Sequence, residues 1–209
     1  MTDAYYILED NEQKGPFTFA ELTEIELDIH TRVLSPLADT WEDACDLPEL
    51  YSYFLAQGIY FPTEDNLASF WRRLLAFIID IVIISIVMDV IVAILISKGI
   101  ISNITTFQAY SKMPYSELLL LQVILYSLLI LYNSIGEASA MKGSVGKKIC
   151  KLVVVDADGV GLTYMNALIR SIGKVVSLFF YGIGFLSIFW SDHRQALHDF
   201  LARTYVVKL

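Results

Sequence analysis

Two long apolar stretches dominate the second half of the chain. Residues 74–97 read LLAFIIDIVIISIVMDVIVAILIS, in which only two aspartates and two serines are polar. At about 1.5 Å per residue, a helix of this length measures about 36 Å and exceeds the ~30 Å hydrocarbon core of a bilayer. Residues 118–135, LLLLQVILYSLLILYNSI, give a helix of about 27 Å. The pattern predicts two transmembrane helices.

A third apolar segment covers about residues 172–190, and its role is less clear. Its uncharged part, residues 175–190, is shorter than the ~17 to 25 residues of a typical span, and Gly182 and Gly184 interrupt it. A full crossing and a broken or re-entrant segment both remain open. We favour the broken or re-entrant segment.

Short β-prone runs lie on both sides of that third segment. Residues 151–156 and 160–164 flank the Asp-Gly turn of residues 157–159, which predicts a small cytoplasmic β-hairpin. An isolated hairpin is marginally stable in water, so residues 204–207 are expected to add a third strand. This pairing requires both ends of the third segment to lie on the same side of the membrane.

The first 55 residues have the pattern of a small α+β domain. Residues 5–9 alternate like a strand, and residues 19–27 carry apolar side chains at helical spacing. Thr18 followed by Glu21 predicts a capping box at the start of that helix. We therefore expect a cytosolic α+β domain over 1–55, a linker over 56–67 and an α-helical integral membrane domain over 68–209.

Composition and charge separate the same two parts. The 209 residues are 56% hydrophobic and 18% charged, whereas ordinary soluble domains are about 25% charged. Residues 1–66 hold 15 acidic and 2 basic residues, a net charge of -13, and residues 67–209 hold 8 acidic and 13 basic residues, a net charge of +5. This composition argues against a wholly soluble enzyme. No nucleic acid partner is expected, because the bases lie beside apolar runs.

The basic residues also predict the orientation of the spans. Basic residues are more frequent in the segments that flank the two spans than in the loop over 98–117 that joins them. Segments rich in lysine and arginine usually stay in the cytoplasm, so both flanks are expected to be cytoplasmic. The N-terminus is acidic and has no apolar signal-peptide core, so it is expected to be cytoplasmic. The flanking bases are Arg72, Arg73, Lys142, Lys147, Lys148 and Lys151, and the loop holds Lys98 and Lys112.

Asp80 and Asp89 are the chemically informative residues of the first span. A charged side chain at mid-membrane costs about 2.5 to 3.5 kcal/mol, so each acid needs a partner or a wet cavity. Arg73 lies about 10 Å from Asp80 along the helix, which is too far for an easy direct pair. Asp89 points to the opposite face, where an oligomer can provide a neighbour. The candidate partners of Asp80 are the polar stripe Gln122, Tyr126 and Asn133 and the cations Arg170 and Lys174.

Two interpretations of Asp80 stay open at this point. An acid held by a cation would fix the packing of the helices. An unpaired acid at that depth would instead suit ion or proton exchange, because desolvation favours its protonated form.

Several motifs of the first domain resemble the bacterial GYF-like module. They are the paired Tyr5 and Tyr6, the tripeptide GPF at 15–17, the run TRV at 31–33, Trp41 and the run LPEL at 47–50. The resemblance covers about residues 4–50 and implies that Tyr6, Phe17 and Trp41 bind a proline-rich peptide or a cytosolic protein. The residues alone leave open that these aromatics form the core of the domain.

The remaining 140 or so residues resemble the RDD family of membrane proteins, which is named for one arginine and two aspartates. The motifs are RLLAFIID at 73–80, EAS at 137–139, GSVGKK at 143–148, Arg170 and HDFLARTYVV at 198–207. The resemblance covers residues 68–208 and implies that Arg73, Asp80 and Asp199 are the named residues. It also implies a bacterial cytoplasmic (inner) membrane protein and suggests transport, with cation/proton antiport proposed for some members.

Three function classes follow from these observations. The first is a small transporter or cation/proton exchanger whose polar site contains Arg73, Asp80, Glu137, Arg170 and Asp199. The second is a membrane-anchored adaptor that binds partners through its first domain, and the third is an auxiliary subunit of a larger complex. Two spans cannot enclose a pathway alone, so a transporter of this size is expected to be a homo-oligomer.

Enzymatic and cofactor chemistry is not expected. No serine-histidine-aspartate or cysteine-histidine arrangement can be assigned. The segment GSVGKK lacks the glycine spacing of a phosphate-binding loop and is interpreted as a flexible basic stretch at lipid headgroups. His193 and His198 are five positions apart and do not share a helix face, so they predict no metal site. No cofactor is predicted.

Overall fold

A computed structural model describes residues 4–9, 12–38, 40–103, 111–180 and 182–209. The chain divides into two compact units. Unit 1 contains Met1–Phe61 and Ala157–Val160, and unit 2 contains Pro62–Asp156 and Gly161–Leu209.

Unit 1 contains a four-stranded antiparallel sheet and two short helices. Its strands are β1 (Tyr5–Glu9), β2 (Glu12–Phe17), β3 (Arg32–Leu34) and β4 (Glu42–Asp43), in the order β2-β1-β3-β4. The helices are α1 (Phe19–Glu24) and α2 (Tyr51–Ala56), and two 3-10 turns, Ala44–Asp46 and Pro48–Leu50, precede α2. The predicted α+β class of this part is confirmed. Its buried core consists of Tyr5, Ile7, Leu22, Leu27, Val33, Ala44, Leu47, Leu50 and Phe54.

The predicted capping box is present at the start of α1. Glu21 N donates to Thr18 Oγ1 at 3.3 Å, and Thr18 N donates to the Glu21 carboxylate at 2.8 Å. The hydrogen bonds from the Thr18 backbone and hydroxyl lower the pKa of Glu21. The helix ends earlier than predicted, because Ile25 is already extended and the chain then buries Leu27 in the core.

Unit 2 contains the two predicted spans. They are α3 (Phe70–Ser97) and α4 (Tyr115–Ala138), and both helices are long and apolar enough to cross a membrane. Both predicted apolar helices are therefore present, with the length and composition that a membrane span requires. Large apolar side chains such as Ile86, Val90 and Leu131 are exposed along them, which suits contact with hydrocarbon.

A short helix and a buried strand follow the second span. Helix α5 (Val145–Ile149) is capped by Ser144, whose side chain accepts a hydrogen bond from Lys147 N. Strand β5 (Leu152–Val155) is buried along its whole length.

The third apolar segment is broken. Helix α6 (Tyr164–Phe179) is followed by α7 (Ile183–Leu186) and a 3-10 turn (Ser187–Phe189), and the two parts are bent by 112°. Gly182 precedes α7 with a φ of 78°, a left-handed conformation that favours glycine. The break therefore lies at one of the two glycines that the sequence pointed to.

The chain ends with α8 (Leu197–Leu201) and β6 (Tyr205–Lys208). The prediction that residues 160–164 form the second strand of a hairpin is wrong. Strand β5 pairs with β6 instead, and the contribution of residues 160–164 to this sheet is the bridge between Val155 and Gly161. The reason is local, because Thr163 caps α6 through Asn166 N and the chain becomes helical at Tyr164. Leu67, just before α3, also bridges to Val207 in β6.

Candidate functional site

Asp80 is buried in unit 2 and accepts hydrogen bonds from neutral groups. Its Oδ1 accepts from Tyr132 Oη at 2.6 Å and from Gly146 N at 2.8 Å, and its Oδ2 accepts from Ser144 Oγ at 2.5 Å. Only 5% of the residue is exposed. Within the described ranges, no lysine or arginine forms an ion pair with it.

The partners of Asp80 attach the short helix α5 to the first span. Ser144 is the N-cap of α5, and Gly146 lies in its first turn. A Cβ atom at Gly146 would lie 2.2 Å from the Ala76 carbonyl oxygen and 2.8 Å from Asp80 Oδ1. Glycine is therefore required for this close approach of α5 to α3.

The predicted partners of Asp80 were wrong. Asn133 accepts a hydrogen bond from Lys174 Nζ at 2.7 Å, and Gln122 donates to Tyr126 Oη at 3.2 Å. The contact from the second span comes from Tyr132, one residue away from the predicted stripe. The docking of α5 decides which side chain of the second span reaches Asp80, and helical spacing alone does not show it.

Glu137, near the end of α4, is fully buried among three cations. Its Oε1 lies 2.5 Å from Lys147 Nζ, 2.7 Å from Arg170 Nη1 and 2.9 Å from Lys174 Nζ. Two of these cations come from α6 and one comes from α5. Glu137 thus joins three helices at one carboxylate oxygen.

Asp199, in α8, is also fully buried and is held by two arginines. Arg73 Nη1 and Arg170 Nη2 both form ion pairs with it, and Arg170 Nε donates to Oδ1 at 2.9 Å. Burial alone would raise the pKa of this carboxyl, but Arg170 and Arg73 hold it well below its usual value. Because Arg170 contacts both Glu137 and Asp199, the two carboxylates belong to one ion-pair network.

The network holds more cations than carboxylates. Among the described residues, Glu137 and Asp199 share the four cations Arg73, Lys147, Arg170 and Lys174. Burial and the neighbouring Arg170 lower the pKa of Lys147 to about 7. The ion pair with Glu137 opposes this effect and favours the charged lysine.

One cavity connects Asp80 with the network. Its volume is about 260 Å³, and its wall includes Asp80, Lys147, Lys174, His198 and the rings of Phe77 and Phe185. The His198 ring packs against Phe185 with a centroid distance of 5.0 Å, and burial lowers the pKa of His198 to about 3. His198 is therefore neutral at physiological pH, and the fixed charge beside it is carried by Asp199.

The structure brings five sequence-predicted residues together in two connected places. Arg73, Glu137, Arg170 and Asp199 form the network, and Asp80 lies at the same cavity. Sequence analysis missed Tyr132, Ser144 and Lys147. Only Ser144 carried a local signal, because serine before a helical run is a common N-cap. The segment GSVGKK is a docked helix in part and not a flexible stretch, since Lys147 is buried.

The three aromatics predicted to bind peptides belong to unit 1. Phe17 packs against the core, whereas Tyr6 and Trp41 are half-buried and are outside the core cluster. Tyr6 pairs across the sheet with Leu34, and the Val33–Glu42 register places Trp41 beside Leu34 on the other side. Since Ile7 and Val33 face the core, the row Tyr6, Leu34 and Trp41 lies on the outer face of the sheet.

These observations define a membrane protein with two long apolar helices, a buried ion-pair network and a small α+β unit. Residues 67–203 match the RDD family, and the chain belongs to that family. Residues 5–50 match GYF domain 2.

The chain is also similar to a curated protein. The chain is 30% identical over 146 residues to the "Uncharacterized protein YxaI" of Bacillus subtilis (strain 168), an alignment that covers 67% of this chain and 96% of the relative. No solved structure matches the chain.

Proposed function

We propose that this RDD-family protein is a small transporter of the bacterial cytoplasmic membrane that exchanges a cation for protons at Asp80. The observation that carries the proposal is the difference among the three carboxylates that are buried in the described part of the chain. Glu137 and Asp199 are neutralised by cations, whereas Asp80 is held by hydroxyl and amide donors. Asp80 is therefore the acid whose charge a mobile ion can balance.

The oxygen atoms around Asp80 suit a hard cation. Tyr132 Oη and Ser144 Oγ each lie within hydrogen-bond distance of the Asp80 carboxylate, and alkali and alkaline-earth cations prefer such oxygen ligands. A proton and a cation would compete for the same carboxylate. This competition couples the uptake of one to the release of the other.

The assembly and orientation complete the proposal. Two spans and a bent third segment do not surround a pathway alone, so we propose a homo-oligomer with its N-terminus in the cytoplasm. Asp89, on α3, is exposed, and a neighbouring copy would remove this charge from lipid.

Asparagine at position 80 tests the exchange. In proteoliposomes of the full-length protein, a sodium or potassium gradient should drive proton flux, and Asp80→Asn should abolish it because asparagine cannot release a proton. Flux can be followed with an internal pH-sensitive dye, and insertion can be checked by size-exclusion chromatography in detergent.

A matched control is the exposed acid Asp65, which lies outside the site. Asp65→Asn should leave the flux unchanged. Undiminished flux in Asp80→Asn would refute Asp80 as the exchange site, and wild-type protein without cation-driven proton flux would refute exchange itself.

A second candidate function rests on unit 1. We propose that the outer row Tyr6, Leu34 and Trp41 binds an extended proline-rich segment of a cytosolic partner, which would make the protein an adaptor. Aromatic side chains on an open sheet face provide the flat apolar surface that a polyproline helix packs against.

Fluorescence of Trp41 tests this adaptor function. The chain contains two other tryptophans, Trp71 and Trp190, so the experiment uses a Trp71→Phe, Trp190→Phe background. Titration with a proline-rich peptide should shift the Trp41 emission and saturate, whereas a glycine-serine peptide of equal length should not. Tyr6→Ala should weaken the response, and an unchanged emission spectrum on titration would exclude binding of this peptide class at the row.

A further inference from the structure

Three side chains of unit 1 with different metal-binding chemistry lie close together outside the proposed peptide-binding row. His30, Asp43 and Cys45 each offer one ligand atom, and these atoms lie within 4.8 Å of one another. His30 Nδ1 lies 3.8 Å from the Asp43 carboxylate, and Cys45 is a free thiol. The sequence did not suggest this cluster, because His30 is 15 positions away from Cys45.

The backbone fixes the two segments that carry the cluster. Ala44 N donates to Thr31 O at 2.9 Å, and Cys45 N donates to Ile29 O at 3.0 Å. The antiparallel pairing of β3 with β4 continues the same contact. Main-chain hydrogen bonds therefore hold the two backbone segments that carry the three side chains next to each other.

The ligand set selects a borderline metal. Imidazole nitrogen, thiolate sulfur and carboxylate oxygen are all zinc ligands, with bond lengths of about 2.0 to 2.3 Å. Tetrahedral geometry with such bonds needs ligand atoms about 3.5 Å apart, so the cluster must contract by about 1 Å. The His30 side chain is 60% exposed, which gives it room for this movement.

The charge around the cluster also favours a cation. Residues 1–66 carry a net charge of -13, and Asp46 follows Cys45 by one position. The opposing group is Arg32, whose Nη1 lies 3.6 Å from the Asp43 carboxylate on an exposed side chain. A bound divalent ion would displace this guanidinium toward solvent.

We propose that His30, Asp43 and Cys45 form a three-ligand zinc site with one position open to water. The site is independent of cation exchange at Asp80. Its open position would let a ligand group of a bound partner complete the coordination.

Cobalt(II) provides a direct test, because it replaces zinc and its bond to thiolate gives a near-ultraviolet charge-transfer band. Full-length protein without a histidine tag, in detergent micelles and under reducing conditions, should bind one cobalt ion with this band, and zinc should displace it. Cys45→Ser should abolish the band, whereas Cys150→Ser, which changes the other free cysteine, should retain it.

Substitutions at two exposed residues keep the test independent of folding. His30→Gln should weaken cobalt binding about tenfold or more, the scale on which changes at a metal site act. Arg32→Gln should strengthen binding because it removes the competing cation. A band that persists in Cys45→Ser, or wild-type protein that shows no band at millimolar cobalt, would overturn the proposal.

Discussion

Replacement of Glu137 by glutamine is expected to lower the free energy of unfolding of unit 2 by about 3–5 kcal/mol. Glutamine has nearly the same shape, but it leaves Lys147, Arg170 and Lys174 buried without their shared carboxylate. Removing one partner of a buried ion pair has this cost because the charge of the other partner is left uncompensated. Titration of micelles with a denaturing detergent, followed by circular dichroism, measures the change.

The matched control is Glu117, an acid on the same helix whose carboxylate accepts hydrogen bonds from Ser102 and forms no ion pair with a described residue. Glu117→Gln should cost about 1 kcal/mol or less. Adding Lys147→Met to Glu137→Gln should recover part of the loss, because one unpaired cation is removed. If Glu137→Gln is as stable as the wild-type protein, Glu137 does not neutralise the three cations.

Alanine at Gly146 is the second substitution with a large expected effect. The added methyl group would lie 2.2 Å from the Ala76 carbonyl oxygen, and neither backbone segment can move without breaking the contacts of α5 with α3. Overpacking of this kind costs about 3 kcal/mol. We expect α5 to leave α3, which releases the hydrogen bond from Gly146 N to Asp80. Thermal unfolding in detergent measures the loss.

Gly161 provides the control for this substitution. The three atoms nearest to a methyl group there all belong to the flexible Lys142 side chain, the closest at 3.1 Å. Gly161→Ala should therefore change the unfolding temperature little, and equal effects of the two alanines would contradict the close approach of α5 to α3.

The spans could be predicted from sequence because one physical property determines them. Uninterrupted apolar length distinguishes a membrane helix from a soluble one, and both Phe70–Ser97 and Tyr115–Ala138 extend the predicted runs by a few residues. The capping box of Thr18 and Glu21 was equally predictable, because both partners lie within one turn.

The partners inside the membrane unit could not be predicted in the same way. The bond between Asp80 and Tyr132 joins residues 52 positions apart, and it depends on where α5 docks. The burial of Lys147 is a similar case, since a basic run beside a membrane is usually solvated. Its ion pair with Glu137 exists only because α4, α5 and α6 meet at that place.

The attachment of α5 has a mechanical consequence for the two spans. Asp80 of the first span and Tyr132 of the second bond to each other, and both also bond to the start of α5. This triangle holds the two helices together where Asp80 and Tyr132 meet. The hydrogen bonds from Ser102 to Glu117 hold them together a second time, just beyond Ser97 and near Tyr115. The two helices are therefore connected at two depths, and separating them requires both sets of hydrogen bonds to break.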